Sequence, residues 1–177
     1  MYQFRQALLT DVESIVLLVN SAYRGESSRA GWTSEADLLD GLRVTADEVK
    51  RLIESTSAII LLCLSDAELL GSVCIEQEQD TAHVGMFVVK PVLQGGGIGK
   101  QLLAEAERLA LQKWHPQKFQ MHVITLRHEL IAFYERRGYQ RTGLLSDFPV
   151  NPALWQAKLA GLKLEALEKS ILKQGLA

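Results

Sequence analysis

The stretch Val84-Gly85-Met86-Phe87-Val88-Val89-Lys90-Pro91-Val92-Leu93-Gln94-Gly95-Gly96-Gly97-Ile98-Gly99-Lys100-Gln101-Leu102-Leu103 decides how the rest of the chain is read. Residues 84–89 are uncharged, and their β-branched and aromatic side chains suit a strand covered on both faces. Pro91 has no N–H to give a sheet ladder, so pairing is expected to stop there. Gly95, Gly96, Gly97 and Gly99 allow a backbone to approach a ligand with no Cβ between them. Beyond them Leu102, Leu103, Ala106, Leu109, Ala110 and Trp114 recur at helical spacing. The start of such a helix offers free N–H groups and partial positive charge, which suits a phosphate.

Two phosphate loops do not fit. A Walker loop needs a glycine five places before Gly99, where Gln94 stands, and a Ser or Thr after Lys100, where Gln101 stands. The dinucleotide pattern G-x-G-x-x-G, started at Gly95 and Gly97, would need its third glycine at Lys100.

Working outward, residues 2–7 read as a strand, and Thr10-Asp11 as the cap of a helix with Val12, Ile15, Val16, Val19 and Tyr23 on one face. The polar segment 20–34 holds Tyr23, Arg24, Arg29, Trp32 and Thr33, more than a bare connector needs. Ser34 is predicted to cap a short helix through Leu42, and Thr45 another through about Glu54. Residues 57–65, 69–79 and 81–89 are three hairpin-linked strands, residues 119–124 another, and residues 128–137 a helix stopped by Gly138. Residues 139–142 start a further strand, residues 149–160 are irregular or a short helix, and residues 162–169, which could be helical, are read as a strand by their period of two. The order predicts an α/β (α+β layered) domain with a mixed sheet and helices on both faces.

Composition narrows the function. The 177 residues are 47% hydrophobic and 23% charged with a net charge of −2, so no basic field argues for nucleic acid or an acidic membrane. No apolar run reaches membrane-spanning length. Two cysteines, Cys63 and Cys74, lie in apolar strands of a chain with no export signal, and read as reduced and buried. A cytoplasmic protein of one domain is expected. The four histidines have no metal-ligand spacing, so no metal is expected.

Gln94-Gly95-Gly96-Gly97-Ile98-Gly99 fits Q/R-x-x-G-x-G/A, and with Phe87-Val88-Val89 before it and an amphipathic helix after it resembles the acyl-CoA pyrophosphate loop of the GNAT superfamily of N-acetyltransferases. Phe133-Tyr134, followed by Gly138-Tyr139, resembles that superfamily's second motif. The resemblance spans about residues 2–169. It implies a mostly antiparallel mixed sheet, an acyl-CoA core over about 57–140, and a variable acceptor-side segment over about 24–54. One departure is Arg127, where the superfamily often has Asn, seven residues before the tyrosine; Leu130 replaces a small residue.

What the resemblance implies is an acetyltransferase that moves an acetyl group from acetyl-CoA to a primary amine of a small molecule or peptide, as monomer or homodimer. Phe87, Val88, Val89, Gln94, Gly95, Gly96, Gly97, Ile98, Gly99 and Lys100 would bind acetyl-CoA. Tyr134 would protonate the leaving thiolate, since an unperturbed phenol with a pKa of about 10 is protonated at neutral pH. The Val89 N–H, or a neighbour, would steady the oxyanion. The base is His83, Glu76 or water; by strand alternation His83 is expected on one face with Gly85, Phe87 and Val89. Tyr23, Arg24, Trp32 and Thr33 are the candidate acceptor contacts. The other reading is a CoA-binding sensor or interaction module on the same fold that does no chemistry.

Overall fold

The computed structural model of the chain describes residues 1–171. Its centre is the antiparallel meander β3 (Ala58–Ser65), β4 (Glu68–Glu78) and β5 (Thr81–Val89). β1 (Gln3–Gln6) pairs antiparallel with β3 at the outer edge. α3 (Ile98–Trp114) then carries the chain back, so that β6 (Lys118–Ile124) lies parallel to β5. β9 (Lys163–Ser170) pairs antiparallel with β6, and β7 (Gln140–Asp147) antiparallel with β9. The seven strands run in the order β1-β3-β4-β5-β6-β9-β7, with β5–β6 as the parallel step.

α1 (Val12–Tyr23) and α2 (Ala46–Glu54) cover one face, and α3 and α4 (His128–Glu135) the other. Alternate residues of β3 feed the two cores: Ile60 and Leu62 pack with α1 and α2, Ile59 and Leu61 with α3. That two-sided burial explains the uninterrupted apolar runs. Each fully buried aliphatic side chain contributes about 1.5–3 kcal/mol of transfer free energy. Cys63 and Cys74 are buried and unpaired, and desolvation pushes the Cys74 thiol up to about 12. No described helix is long and apolar enough to cross a membrane.

Four local readings change. Asp11 stands at the N-cap position of α1, but its side chain makes no cap hydrogen bond there; it closes a 3₁₀ turn over Leu9–Asp11, taking the Leu8 N–H at 2.7 Å and the Arg5 guanidinium at 2.7 and 2.8 Å. No helix follows Ser34. Its Oγ takes the Ala36 N–H at 3.0 Å, one turn forms, and the chain extends into β2 (Leu39–Gly41). β2 pairs with β8 (Trp155–Ala157), a strand inside the segment expected to be irregular or helical. β7 continues to Asp147, past a register shift at Gly143.

A further change decides the site. Between Ser72 and Cys74 the β4–β5 register shifts, so Val73 stands opposite both Met86 and Phe87. Met86 has φ +44°, a β-bulge on β5. Before it Ala82 and Val84 face α3; after it Phe87 and Val89 do, while Met86 and Val88 face α1. His83 therefore lies on the face opposite Phe87 and Val89, contrary to simple alternation.

Candidate active site

β5 and β6 are joined only at Thr81–His83 with Lys118–Gln120. Beyond those pairs the strands part, and residues 84–89 and 121–124 face a gap. On the other side of β5, the Lys90 N–H bonds Leu70 O at 2.8 Å. Antiparallel alternation then makes Ser72–Val88 a bonded pair and turns the Val89 N–H and C=O away from β4, toward the gap.

Two cavities sit here. The larger, about 430 Å³, is walled by Phe87 to Val89, by Gln94, Gly95, Gly97, Gly99 and Lys100, and by α4. The smaller, about 240 Å³, lies along the parted arms of β5 and β6 under Arg43, Phe148 and Trp155. Tyr23, Phe87, Arg127, Leu130 and Tyr134 wall both.

The glycine loop is shaped by backbone need at two positions. Gly95 and Gly97 have φ +87° and +86°, where a Cβ is strained. Gly97 caps α3, and Ile98 anchors that helix in the core. Gly99 has an ordinary φ, but a Cβ there would stand 3.4 Å from Phe87 Cζ and 3.6 Å from Phe133 Cζ. Gly96 is exposed at the turn and outside the cavity wall. The Gln94 amide donates to Val89 O at 3.3 Å and accepts the Thr33 N–H at 3.4 Å, tying the loop to the segment before β2.

Aromatic rings fill the centre. Phe133 meets Trp32, Phe87 and Tyr134 at 5.7, 6.1 and 5.3 Å between centroids. Tyr134 is buried, and desolvation pushes its phenol well above the usual range, so it keeps its proton at every physiological pH. Its hydroxyl has no hydrogen-bond partner among the described residues. Tyr139 differs: its hydroxyl donates to Glu107 at 2.7 Å, inside the core.

The acceptor candidates divide. Tyr23 faces both cavities, Arg24 the smaller, and Trp32 and Thr33 the larger. Arg24 is buried, its Nε 3.0 Å from Glu35 Oε2 and its Nη1 2.6 Å from Leu42 O. Arg127, the departure from the superfamily pattern, bonds Glu35 Oε1 at 3.1 Å and Thr33 Oγ1 at 2.7 Å. His83 and Glu76 are cross-strand neighbours. His83 Nε2 lies 3.4 Å from Glu78 Oε2, and Glu76 is exposed; neither walls a cavity.

Reading the sequence passed over two groups of residues. His122, exposed on its strand, borders the smaller cavity, and partial desolvation, then the nearby His83, lowers its pKa and favours the neutral imidazole. Its position in an apolar strand gave no signal. Glu35 and Arg43 also wall that cavity. Glu35 was hidden in a predicted helix, and only its burial marks it out. No group of three or more His, Cys, Asp or Glu that could hold a metal occurs among the described residues.

Several solved structures share this fold. A GNAT-family acetyltransferase from Streptococcus pneumoniae is 18% identical with a TM-score of 0.68, covering 97% of this chain and 99% of that one. The PaiA N-acetyltransferase of Thermoplasma acidophilum, solved with coenzyme A, is 17% identical with a TM-score of 0.69 and the same coverage. An N-acetyltransferase from Staphylococcus aureus is 13% identical with a TM-score of 0.72, covering 96% of this chain and 97% of that one. No curated protein sequence matches the chain. The model of the acetyltransferase (GNAT) family matches residues 16–139, from α1 to the tyrosine after α4, and the chain belongs to that family.

Proposed function

We propose that this protein transfers an acetyl group from acetyl-CoA to a primary amine by direct attack in a ternary complex. The observation that carries this reading is the meeting of two cavities at Tyr134, beside the gap between β5 and β6. One cavity has a phosphate-friendly loop at the N-terminus of a 17-residue helix. Lys100, Arg136 and Arg137 stand on its wall, where they would meet the phosphates. The Val89 peptide, turned into the gap, would hydrogen-bond the pantetheine arm or the oxyanion.

The reaction forms a C–N bond and breaks a C–S bond. The amine enters the smaller cavity and loses a proton to a neutral group. His122 suits that task by position and protonation. His83 and Glu76, on the same side of the sheet, complete a water-carried path outward. The attacked carbonyl becomes an oxyanion; its collapse breaks the C–S bond, the thiolate leaves with the Tyr134 proton, and the remaining proton shed by the amide nitrogen restores the phenol. A buried phenol is a weak acid, but a CoA thiolate released in an apolar site is a strong base there.

Thermal unfolding with acetyl-CoA, CoA, ATP and NAD in parallel tests donor binding. A ligand at about 100 times its Kd stabilises by about 2.7 kcal/mol. Stabilisation by the two CoA compounds alone, followed by CoA thiol release with a primary amine, is the expected result. No stabilisation by either CoA compound would sink the reading.

A further inference from the structure

The smaller cavity carries a charge imbalance. Arg24, Arg43 and Arg127 are among its wall residues, and Glu35 is the sole carboxylate-bearing residue there. Glu35 is already shared: Arg24 holds one oxygen at 3.0 Å and Arg127 the other at 3.1 Å. The Arg127 side chain is 9% exposed, and its buried Nε has no hydrogen-bond partner. Arg43 is half-buried, its guanidinium carbon 5.3 Å from the centroid of the Tyr23 ring. Among the described residues no carboxylate lies within ion-pair distance of it. Two guanidiniums on one carboxylate leave a net positive charge beside the cavity, and Arg43 adds another, which an anionic ligand would offset.

We propose that this cavity recognises an acceptor that carries an anionic group, a carboxylate or a phosphonate, beside its primary amine. The proposal rests on the acyl-transfer reading for the amine, though the anion site itself does not need turnover. Arg43, half-buried and without a carboxylate partner, holds the anion, while the amine points to the wall shared with Tyr134. The volume of about 240 Å³ suits a molecule of amino-acid size. Phe148 and Trp155 give the cavity an aromatic wall for an apolar side chain. The same positive surplus disfavours the ammonium form of the amine, which readies the nucleophile without a carboxylate base.

The test is calorimetric titration into protein saturated with CoA, where no acetyl transfer occurs. The probes are L-phenylalanine and L-methionine, their carboxamides, and the phosphonate analogue of phenylalanine. At least one acid is expected to bind ten-fold or more tightly than its amide. Arg43→Gln should erase that difference and keep the melting temperature, since no ion pair is lost. A tighter phosphonate assigns the site to tetrahedral anions, a tighter carboxylate to planar ones, and either supports the proposal. Equal behaviour of acid and amide throughout, whether both bind or neither does, overturns it. So does an Arg43→Gln protein that still discriminates. An acid that binds but is never acetylated from acetyl-CoA removes acyl transfer and leaves the anion site. Acetylation of amines with no preference for the acid does the reverse.

Discussion

Arg127 Nη1 lies 3.1 Å from Glu35 Oε1, a contact between residues 92 positions apart that joins the start of α4 to the segment before β2. Both side chains are buried. Arg24 holds the other oxygen of the same carboxylate, so removing Glu35 strands two guanidiniums. Glu35→Ala is expected to destabilise by about 3–5 kcal/mol, and to lower Tm by roughly 6–20 °C for a chain of this size. A loss under about 1 kcal/mol in a denaturant melt would mean these pairs contribute no more than surface ones.

Tyr134→Phe and Tyr139→Phe should separate chemistry from folding. The first removes a hydroxyl with no protein partner, so Tm should hold while kcat falls by about 10²–10⁴-fold, with little change in KM for acetyl-CoA. The second takes from buried Glu107 one of its two partners, leaving Lys169. It should cost about 1–3 kcal/mol and leave kcat near wild type. Unchanged turnover in Tyr134→Phe would dismiss its role as acid.

Within the loop, Gly97→Ala places a Cβ at φ +86°, and should cost about 1–2 kcal/mol with weaker acetyl-CoA binding. Gly96→Ala, whose Cβ would find its nearest atom, Leu93 O, at 3.4 Å, should change stability by less than about 0.5 kcal/mol. Equal losses would show that left-handed geometry does not govern this loop.

The pH profile should report His122. Desolvation lowers its folded pKa, so the neutral, proton-accepting form persists to below pH ~6.5. The acid limb of kcat/KM should lie below that value and vanish in His122→Gln. Linkage has a matching sign. The unfolded chain takes up the His122 proton first, so this group weakens the fold as pH falls through the window between its unfolded and folded pKa. An acid limb that survives in His122→Gln would return the role to His83, Glu76 or water.

Much of the fold was legible in the sequence. Gln94 to Gly99 announced a glycine turn opening a helix because glycines at such spacing have few other uses, and the apolar runs of β3 to β5 left little room except as buried strands. Three things were not legible. Met86 is an ordinary strand residue with nothing to signal a bulge, so the face of His83 came out reversed. β2 and β8 are three residues each, too short for any periodicity. Glu35 and Arg127 explain each other only in space: Glu35 gave no signal within a predicted helix, and Arg127 stood out only as a departure from Asn.

The parting of β5 from β6 also has a mechanical meaning. One flank of the molecule, β1-β3-β4-β5, is hydrogen-bonded to the other, β6-β9-β7, by a rivet of three residue pairs at one end of a seam. Along the rest of the seam the backbone is unfinished. A ligand lying there would supply the rungs the protein omits, and so would serve as mortar as well as cargo. Breathing of the two flanks about the rivet would open the seam when it is empty and would be damped when it is full, coupling the stiffness of the whole sheet to occupancy of the gap.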